Sequence, residues 1–377
     1  MTTTPAENNA MSTGTDSHHE RTQAARSLVR TTVQGQVLSY EDASTVFAAL
    51  GAGLLSEVET AALLAAMHAR GERAEEVAGA AHAFRAAARP FPEVPMPLLD
   101  IVGTGGDGVG TINISTGAGI TAASMGLAVS KHGNRAVSSK TGAADVISAL
   151  GLPLELSPEQ SAKVLQEVGF TFLFAQAYHP AMRFVAPVRA ALRTPTVFNL
   201  LGPLINPARL SYQVMGVSDP AMMDMIASTL QRLGRERALV INGLGLDEIT
   251  VHGATSVREV TPDGVRSFTV TPEELGVPTR HLSEMLGGTP TENAQILRDV
   301  FENRGRAGHR DAIAVNTGAL LYLAGRVGTL REGTEAALEQ LASGQVAEHL
   351  ERMVAVAATV SGATSGADSG QADGTVA

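Results

Sequence analysis

The chain has 377 residues, 44% hydrophobic and 18% charged, which is enough for two domains with substantial cores. Its formal net charge of −10 argues against non-specific nucleic-acid binding, so a polyanionic ligand must be held by local amides, basic side chains or metal. With no cysteine, disulfides, a thiolate nucleophile and cysteine-based metal sites are excluded.

Both ends of the chain are polar. Residues 1–24 lack the apolar core of a signal peptide, and residues 361–377 are rich in Gly, Ser and Asp, so we predict a disordered leader and a disordered tail. No apolar run reaches the roughly 18 residues of a membrane span. We therefore expect a soluble cytoplasmic protein with no membrane partner.

Residues 25–95 have the pattern of a helical domain. Ser56 and Glu59 form a capping box ahead of apolar positions at helical spacing, and Gly71 ends that helix. An alanine-rich helix follows and stops at Pro90. The proline-rich stretch 91–97 then connects to the next domain.

The segment 98–119 predicts phosphate binding. The apolar run Leu98–Val102 predicts a strand, five glycines follow between Gly103 and Gly110, and the N-cap residues 113–116 begin a predicted helix. A strand, a glycine loop and a helix N-terminus together present backbone N–H groups to a phosphate. The loop also matches the dinucleotide fingerprint, but Asp107 inside the turn argues against that interpretation, as does the lack of an acidic residue about 20 positions on.

Predicted strands starting near residues 127, 170, 212 and 238 alternate with helices, which indicates an α/β domain over residues 96–360 with a mostly parallel sheet. Two alternating runs between Thr255 and Thr271 flank a Pro-Asp-Gly turn and predict a hairpin. Helices are predicted from Glu292 to about Met353.

Three further segments of this domain carry chemistry. Residues 131–145 combine basic side chains with Asn, Ser and Gly at a strand end, which indicates a second phosphate site; a solvated basic loop is the alternative. In residues 179–207, arginines 183, 189 and 193 lie on an apolar stretch. One of them could bind a carboxylate in a bidentate manner, or all could simply extend their charges to solvent.

The third segment is glycine-rich and contains the adjacent carboxylates Asp247 and Glu248. Such a pair can hold Mg²⁺ together with substrate phosphates, while a plain acidic turn fits the residues equally well. We expect both carboxylates to lie in a loop outside the core.

Six motifs resemble those of the anthranilate phosphoribosyltransferases, a branch of the family that includes pyrimidine nucleoside phosphorylases. They occur in the family's order over about residues 25–350: GTGGD at 103, NIST at 113, KHGNR at 131, YHPAM at 178, NLLGPLINP at 199 and GLDE at 245. The resemblance implies the nucleoside phosphorylase/phosphoribosyltransferase class of fold: a small N-terminal helical domain, joined again by helices from about 179–206, and a larger α/β domain. It also implies a homodimer formed through helices.

The implied reaction converts anthranilate and phosphoribosyl pyrophosphate (PRPP) to phosphoribosyl anthranilate and pyrophosphate. The implied PRPP contacts are Gly103, Gly106, Asp107, Thr111, Asn113, Ile114, Ser115 and Thr116, then Lys131, His132, Gly133, Asn134, Arg135, Ala136, Val137, Ser138, Ser139 and Ala143. The implied anthranilate contacts are Gly103, Asn134, Arg189 and, near the entry channel, His179. The implied Mg²⁺ ligands are Ser115, Asp247 and Glu248.

Two positions depart from the family's commonest pattern. Ile112 stands where phenylalanine is frequent, and Ala143 where serine is frequent, so a contact at Ala143 must come from the backbone. In the implied chemistry Lys131 and Mg²⁺ neutralise the leaving pyrophosphate while Arg189 orients the acceptor, and no covalent nucleophile is needed.

Two alternatives stay open at this point. A pyrimidine nucleoside phosphorylase would bind phosphate and a nucleoside, but its lysine loop lacks the His-Gly-Asn found at 132–134. A non-enzymatic nucleic-acid-binding relative would have a basic surface and a degraded metal pair, whereas this chain is acidic and keeps Asp247 and Glu248.

Overall fold

The computed structural model describes residues 8–136 and 141–362, with side chains from residue 18 onward. The N-terminal region is helical, as expected. Its helices are α1 (Asn8–Val33), α2 (Tyr40–Gly51), α3 (Glu57–Arg70) and α4 (Ala74–Ala86). The capping box is confirmed, because Ser56 Oγ accepts from the Glu59 N–H at 3.2 Å and the Glu59 carboxylate accepts from the Ser56 N–H at 2.8 Å.

The structure corrects the prediction of a disordered leader over residues 8–24, since α1 begins at Asn8. No proline interrupts this stretch, and burial of Ala25 and Val29 anchors the helix from its C-terminal half, while residues 18–20 are exposed. At the other end Gly362, with φ +78°, caps the last helix. The predicted tail beyond it lies outside the described residues.

Within the described residues, seven strands form one sheet in the order β3-β2-β1-β4-β5-β6-β7. The strands are β1 (Leu98–Gly103), β2 (Val129–Gly133), β3 (Phe170–Phe174), β4 (Leu210–Gly216), β5 (Arg237–Asn242), β6 (Thr255–Thr261) and β7 (Gly264–Val270). The first five strands of the chain are parallel, and β6 and β7 form the predicted antiparallel hairpin. The mostly parallel sheet is thereby confirmed.

Helices cover both faces of the sheet. The remaining helices are α5 (Ile114–Ser124), α6 (Ala143–Ala149), α7 (Pro158–Val168), α8 (Ala175–Tyr178), α9 (Ala186–Leu192), α10 (Phe198–Leu201), α11 (Met223–Arg232), α12 (Pro290–Phe301), α13 (Ala307–Leu323), α14 (Leu330–Ala342) and α15 (Gln345–Ser361). One face packs against α5 and α12–α15 in the larger apolar cluster. The other face packs against α9–α11 and the N-terminal helices.

Side chains on neighbouring strand positions enter different clusters because they alternate across the sheet. On β4, Val214 belongs to the cluster around α5 and α13, while Met215 belongs to the cluster that contains α1–α4. The N-terminal helices and one face of the sheet therefore share a single apolar core. Parallel strands also bring the carboxyl ends of β1, β2, β4 and β5 to one edge, where ligands of α/β sheets bind.

Candidate functional site

The glycine loop connects β1 to α5 at this edge. Gly105, Gly106, Gly108 and Gly110 all have φ between +70° and +79°, a region that residues with a Cβ rarely adopt. The side chain of Asp107 accepts a hydrogen bond from the Val109 N–H at 3.1 Å, so this carboxylate braces the turn. The loop has the strand–loop–helix geometry expected of a phosphate site.

The acidic pair packs directly against this loop. The Gly105 N–H donates to Asp247 Oδ2 at 2.6 Å, and the Ser115 N–H, in the first turn of α5, donates to Glu248 Oε1 at 3.1 Å. A Cβ on Gly103 would lie 2.0 Å from Asp247 Oδ2, and one on Gly216 would lie 1.7 Å from the Asp247 carbonyl oxygen. Both strand ends must therefore be glycine for Asp247 to fit between them.

Our expectation that the acidic pair lies outside the core is wrong for Glu248, which is only 9% exposed. Burial raises the pKa of Glu248, and the neighbouring Asp247 raises it further. Burial also raises the pKa of Asp247. Glu248 Oε2 is buried without a hydrogen-bond partner, so this oxygen remains available to a ligand. The sequence could not reveal the burial because the groups beside Glu248, the Ser115 N–H and Lys131, lie far away along the chain.

Lys131 lies beside this pair at the end of β2. It is 2% exposed, and its Nζ donates to the Ile101 carbonyl at 2.6 Å and to Ser115 Oγ at 3.1 Å. Burial lowers the pKa of Lys131, while the carboxylates of Asp100, Glu248 and Asp247 raise it. The lysine, the acidic pair and the start of α5 thus form one charged cluster, as the six motifs imply.

The loop after β2 is described as far as Ala136. Asn134 Oδ1 accepts from the Arg135 N–H at 2.8 Å, and Arg135 forms an ion pair with Asp145 at 3.0 Å. Asp145 also accepts from the N–H groups of Ala136 and Gly142, so it closes the base of the loop. Of the expected PRPP contacts, Val137, Ser138 and Ser139 lie outside the described residues, and Ala143 begins α6.

His132 points to the opposite face from Lys131 and meets His179. Its Nδ1 donates to the Gly202 carbonyl at 3.1 Å, and its Nε2 lies 3.2 Å from Nε2 of His179. Burial lowers the pKa of His132 to about 3 and that of His179 to about 4. The two rings are therefore neutral at pH 7. His179, expected near a channel entry, is only 3% exposed.

Arg189 lies on α9, half-buried, with its guanidinium 5.8 Å from the centre of the Phe198 ring. Burial lowers its pKa. Within the described part of the chain, no carboxylate pairs with this side chain, and the Asn134 side-chain oxygen accepts from the Arg135 N–H and not from Arg189. Arg183 and Arg193, the other two arginines of this stretch, are exposed.

Sequence reasoning missed several residues that support the site. Asn293 donates to Asn113 Oδ1 at 3.0 Å at the start of α5. Asn206 donates to Asp100 Oδ2 at 2.9 Å and to the Ser130 carbonyl at 2.8 Å, which ties the NLLGPLINP segment to β1 and β2. One sequence signal was available: Asp100 is a carboxylate inside the apolar strand LLDIV, and a buried carboxylate needs a hydrogen-bond partner.

No group of three or more His, Asp or Glu side chains is placed to hold a metal ion among the described residues. Asp247, Glu248 and Ser115 still fit Mg²⁺, because this ion prefers oxygen ligands and usually takes only one or two carboxylates plus substrate phosphates. In the same described part of the chain, no helix is long and apolar enough to cross a membrane.

Two family models match the chain. Residues 96–347 match the glycosyl transferase family, a/b domain, and residues 26–88 match the glycosyl transferase family, helical bundle domain. The anthranilate phosphoribosyltransferase of Corynebacterium efficiens is 50% identical over 311 residues, which cover 82% of this chain and 91% of that protein.

Solved structures agree with these matches. The anthranilate phosphoribosyltransferase of Thermus thermophilus superposes with a TM-score of 0.84 at 48% identity, covering 88% of this chain and 99% of that one. The Saccharomyces cerevisiae enzyme in complex with PRPP and Mg has a TM-score of 0.81 at 28% identity, covering 89% and 98%. The yeast enzyme with 4-fluoroanthranilate has a TM-score of 0.80 at 27% identity, covering 90% and 98%.

Proposed function

The chain belongs to the anthranilate phosphoribosyltransferase family, and we propose that the cluster around the glycine loop carries out the family's reaction. The enzyme transfers the phosphoribosyl group of PRPP to anthranilate, giving N-(5-phosphoribosyl)anthranilate and pyrophosphate in tryptophan biosynthesis. One observation carries the assignment to this site: the glycine loop, the start of α5, Lys131 and the acidic pair meet at one sheet edge.

In this proposal the pyrophosphate end of PRPP binds at the glycine loop. The first set of PRPP contacts is Gly103, Gly106, Asp107, Thr111, Asn113, Ile114, Ser115 and Thr116, of which Asn113, Ser115 and Thr116 would bind the phosphates. The second set, residues 131–139 and Ala143, would contact the ribose and its 5′-phosphate. Four loop glycines with positive φ support it, since they keep side chains away from the approaching oxygens. The positive end of the α5 dipole adds to the attraction.

Mg²⁺ fits the acidic pair in this arrangement. Asp247, Glu248 and Ser115 would hold it, and when bound it supplies positive charge against the pyrophosphate. The unpartnered Glu248 Oε2 supports this assignment. A yeast relative holds both PRPP and Mg. Buried next to the pair, Lys131 stabilises the negative charge that develops as pyrophosphate leaves.

The acceptor side is assigned to Arg189, Asn134, His179 and the Gly103 backbone. Arg189 presents a guanidinium with no carboxylate partner among the described residues, and a planar carboxylate such as that of anthranilate suits it. The anthranilate amine is neutral at pH 7, so positioning it against C1 of the ribose matters more than deprotonating it. The C1–O bond to pyrophosphate breaks with its electron pair on oxygen, the C1–N bond forms, and the amine nitrogen then gives up one of its two protons to solvent.

Further assignments follow the family. We take residues 25–95 as the helical domain and 96–360 as the α/β domain, and we propose a homodimer that pairs through the N-terminal helices. Val33 and Val58 are 56% and 79% exposed and lie on α1 and α3, two of the helices that would pair. Light scattering after gel filtration tests the dimer.

The function is tested by following the fluorescence of anthranilate with and without PRPP and Mg²⁺. Loss of anthranilate that requires both additions is the expected result. The pyrimidine nucleoside phosphorylase alternative predicts no loss of anthranilate, and phosphorolysis of a nucleoside instead. A nucleic-acid-binding relative would be inactive and would shift single-stranded DNA in a gel, which we do not expect of a chain with a net charge of −10.

A further inference from the structure

The acidic pair is carried by a connection with almost no regular structure. Between β5 and β6, residues 243–254 contain only one isolated bridge, from Gly243 to Leu246. This connection is nevertheless buried: Ile249 and Val251 are 0% exposed and Thr250 is 1% exposed. Buried backbone groups need hydrogen-bond partners, which here cannot come from a neighbouring strand.

Asn316, in the middle of α13, supplies both partners for Ile249, whereas the Thr250 N–H donates to Thr255 Oγ1 at 3.1 Å and the Val251 carbonyl accepts from the Arg280 N–H at 2.7 Å. The side chain is 0% exposed. Its Oδ1 accepts from the Ile249 N–H at 3.1 Å, and its Nδ2 donates to the Ile249 carbonyl at 2.8 Å. The second Nδ2 hydrogen goes to the Ala312 carbonyl of its own helix at 2.9 Å. One side chain thus satisfies both backbone groups of the residue that follows Glu248.

Few side chains can do this. An amide group carries a donor and an acceptor side by side, as a peptide unit does, whereas hydroxyl, carboxylate and ammonium groups do not match both partners in that geometry. Asn316 therefore acts in place of a strand neighbour. The Ile249 backbone that it holds is one peptide bond from Glu248, whose carboxylate meets the Ser115 N–H at 3.1 Å.

We propose that Asn316 is a positioning residue for the acidic pair. It holds the backbone after Glu248 so that the two carboxylates face the glycine loop and the start of α5, where Mg²⁺ and the pyrophosphate of PRPP would bind. This inference rests on the proposed function. It predicts that Asn316 affects metal-dependent PRPP binding and leaves the anthranilate side unaffected.

The test compares two buried positions on the same helix. Asn316→Leu keeps the branched shape of the side chain and removes all three hydrogen bonds. Thr317→Val is the matched control, because Thr317 is 0% exposed and its Oγ1 bonds the Ile313 carbonyl at 2.8 Å and the Ala118 carbonyl at 3.4 Å but makes no hydrogen bond to the connection. Thermal midpoints of both variants report the general cost of losing a buried polar group.

Calorimetry of PRPP binding with and without Mg²⁺ then separates the roles. We expect Asn316→Leu to weaken PRPP binding in the presence of Mg²⁺ by about ten- to a hundredfold, the usual effect of losing a residue that orients a metal ligand. Its PRPP affinity without Mg²⁺ and its anthranilate KM should change by less than about twofold. Thr317→Val should bind PRPP like the parent protein. Equal PRPP affinities for the two variants in the presence of Mg²⁺ would overturn the proposal.

Two further variants complete the test. If Asn316→Leu does not fold, Asn316→Ser, a smaller polar replacement, is measured against the same control and judged by the same criterion. Glu248→Gln is measured alongside. If it weakens Mg²⁺-dependent binding and the Asn316 variant does not, the inference about Asn316 fails while the proposed function stands. If Glu248→Gln binds PRPP and Mg²⁺ as the parent does, the proposed metal site itself is wrong.

Discussion

Gly103 and Asp247 lie so close that a Cβ on Gly103 would stand 2.0 Å from the Asp247 carboxylate oxygen. The first residue ends β1 and the second follows β5, and the Gly105 N–H bonds the same oxygen at 2.6 Å. The glycine at this position is therefore required by the acidic pair as much as by any ligand.

Gly103→Ala should displace Asp247 and with it the metal-binding edge. Forcing a methyl group into a packed site costs about 1–3 kcal/mol, which corresponds to a roughly ten- to hundredfold rise in the PRPP KM if the strain falls on the site. Gly51→Ala is a suitable control, since its Cβ would meet Ala181 at 3.5 Å and Phe84 at 3.9 Å, which are ordinary contacts. Steady-state kinetics of both variants would show the difference. A Gly103→Ala enzyme with the parent's PRPP KM would contradict the assignment.

Chelation with EDTA should abolish turnover, and added Mg²⁺ should restore it. Glu248→Gln keeps an acceptor for the Ser115 N–H but removes the charge, so it should raise the Mg²⁺ concentration for half-maximal rate by about ten- to a hundredfold. Its thermal midpoint should not fall, because burial already disfavours the ionised carboxylate. Undiminished activity in EDTA would rule out the metal pair.

Arg189→Ala should raise the anthranilate KM by roughly ten- to a hundredfold, because a hydrogen bond to a charged group is worth about 1.5–3 kcal/mol. Arg189→Lys should not restore it, since a lysine cannot provide the planar, bidentate contact. Arg183→Ala is the control: this guanidinium also lies over a ring, 4.6 Å from the centre of Phe184, but it is exposed. If Arg189→Ala lowers only the thermal midpoint, the arginine merely packs on Phe198 and the carboxylate binds elsewhere.

The neutral histidine pair should make the folded state acid-sensitive. His132 and His179 have folded pKa values of about 3 and about 4, below the usual 6.5 of the unfolded chain, so the unfolded state binds more protons between these limits. The contribution of the pair to the free energy of unfolding is fully present above the pKa of the unfolded chain and is lost as the pH falls below that pKa. Each histidine should cost about 1 kcal/mol of unfolding free energy between about pH 7.5 and about pH 5.5.

Urea unfolding at both pH values measures this loss. The free energy of unfolding should fall less between the two pH values in His179→Gln than in the parent protein. The difference should be about half of the fall that the two histidines cause together. Replacement of the exposed His281 should leave the acid-dependent decrease in unfolding free energy as it is in the parent protein. Asp100 and Glu248, whose pKa values are raised by burial to about 6 and about 8, contribute with the opposite sign, and these contributions cancel in the comparison because every variant retains both carboxyl groups. Equal acid sensitivity of His179→Gln and the parent protein would show that the pair does not titrate as described.

The sequence predicted the elements well where local chemistry decides them. The strands are apolar runs bounded by glycine, and the caps at Ser56 and Gly71 are short-range signals. Contacts between distant segments could not be predicted: nothing in the sequence near Glu248 indicates that its carboxylate meets the start of α5. Asn316 likewise lies inside an apolar helix, and its partner at Ile249 becomes evident only when α13 packs on the sheet.

The apolar cluster shared by α1–α4 and one face of the sheet affects whether the two regions matched by the family models can exist as separate fragments. The family models meet between residues 88 and 96, but Met215, Val217 and Val240 pack together with side chains of the helical region. That junction divides the sequence without dividing the hydrophobic core. A polypeptide cut there would expose a broad apolar sheet face in one fragment and unpaired helices in the other. We therefore expect each of the two regions to depend on the other for stable folding.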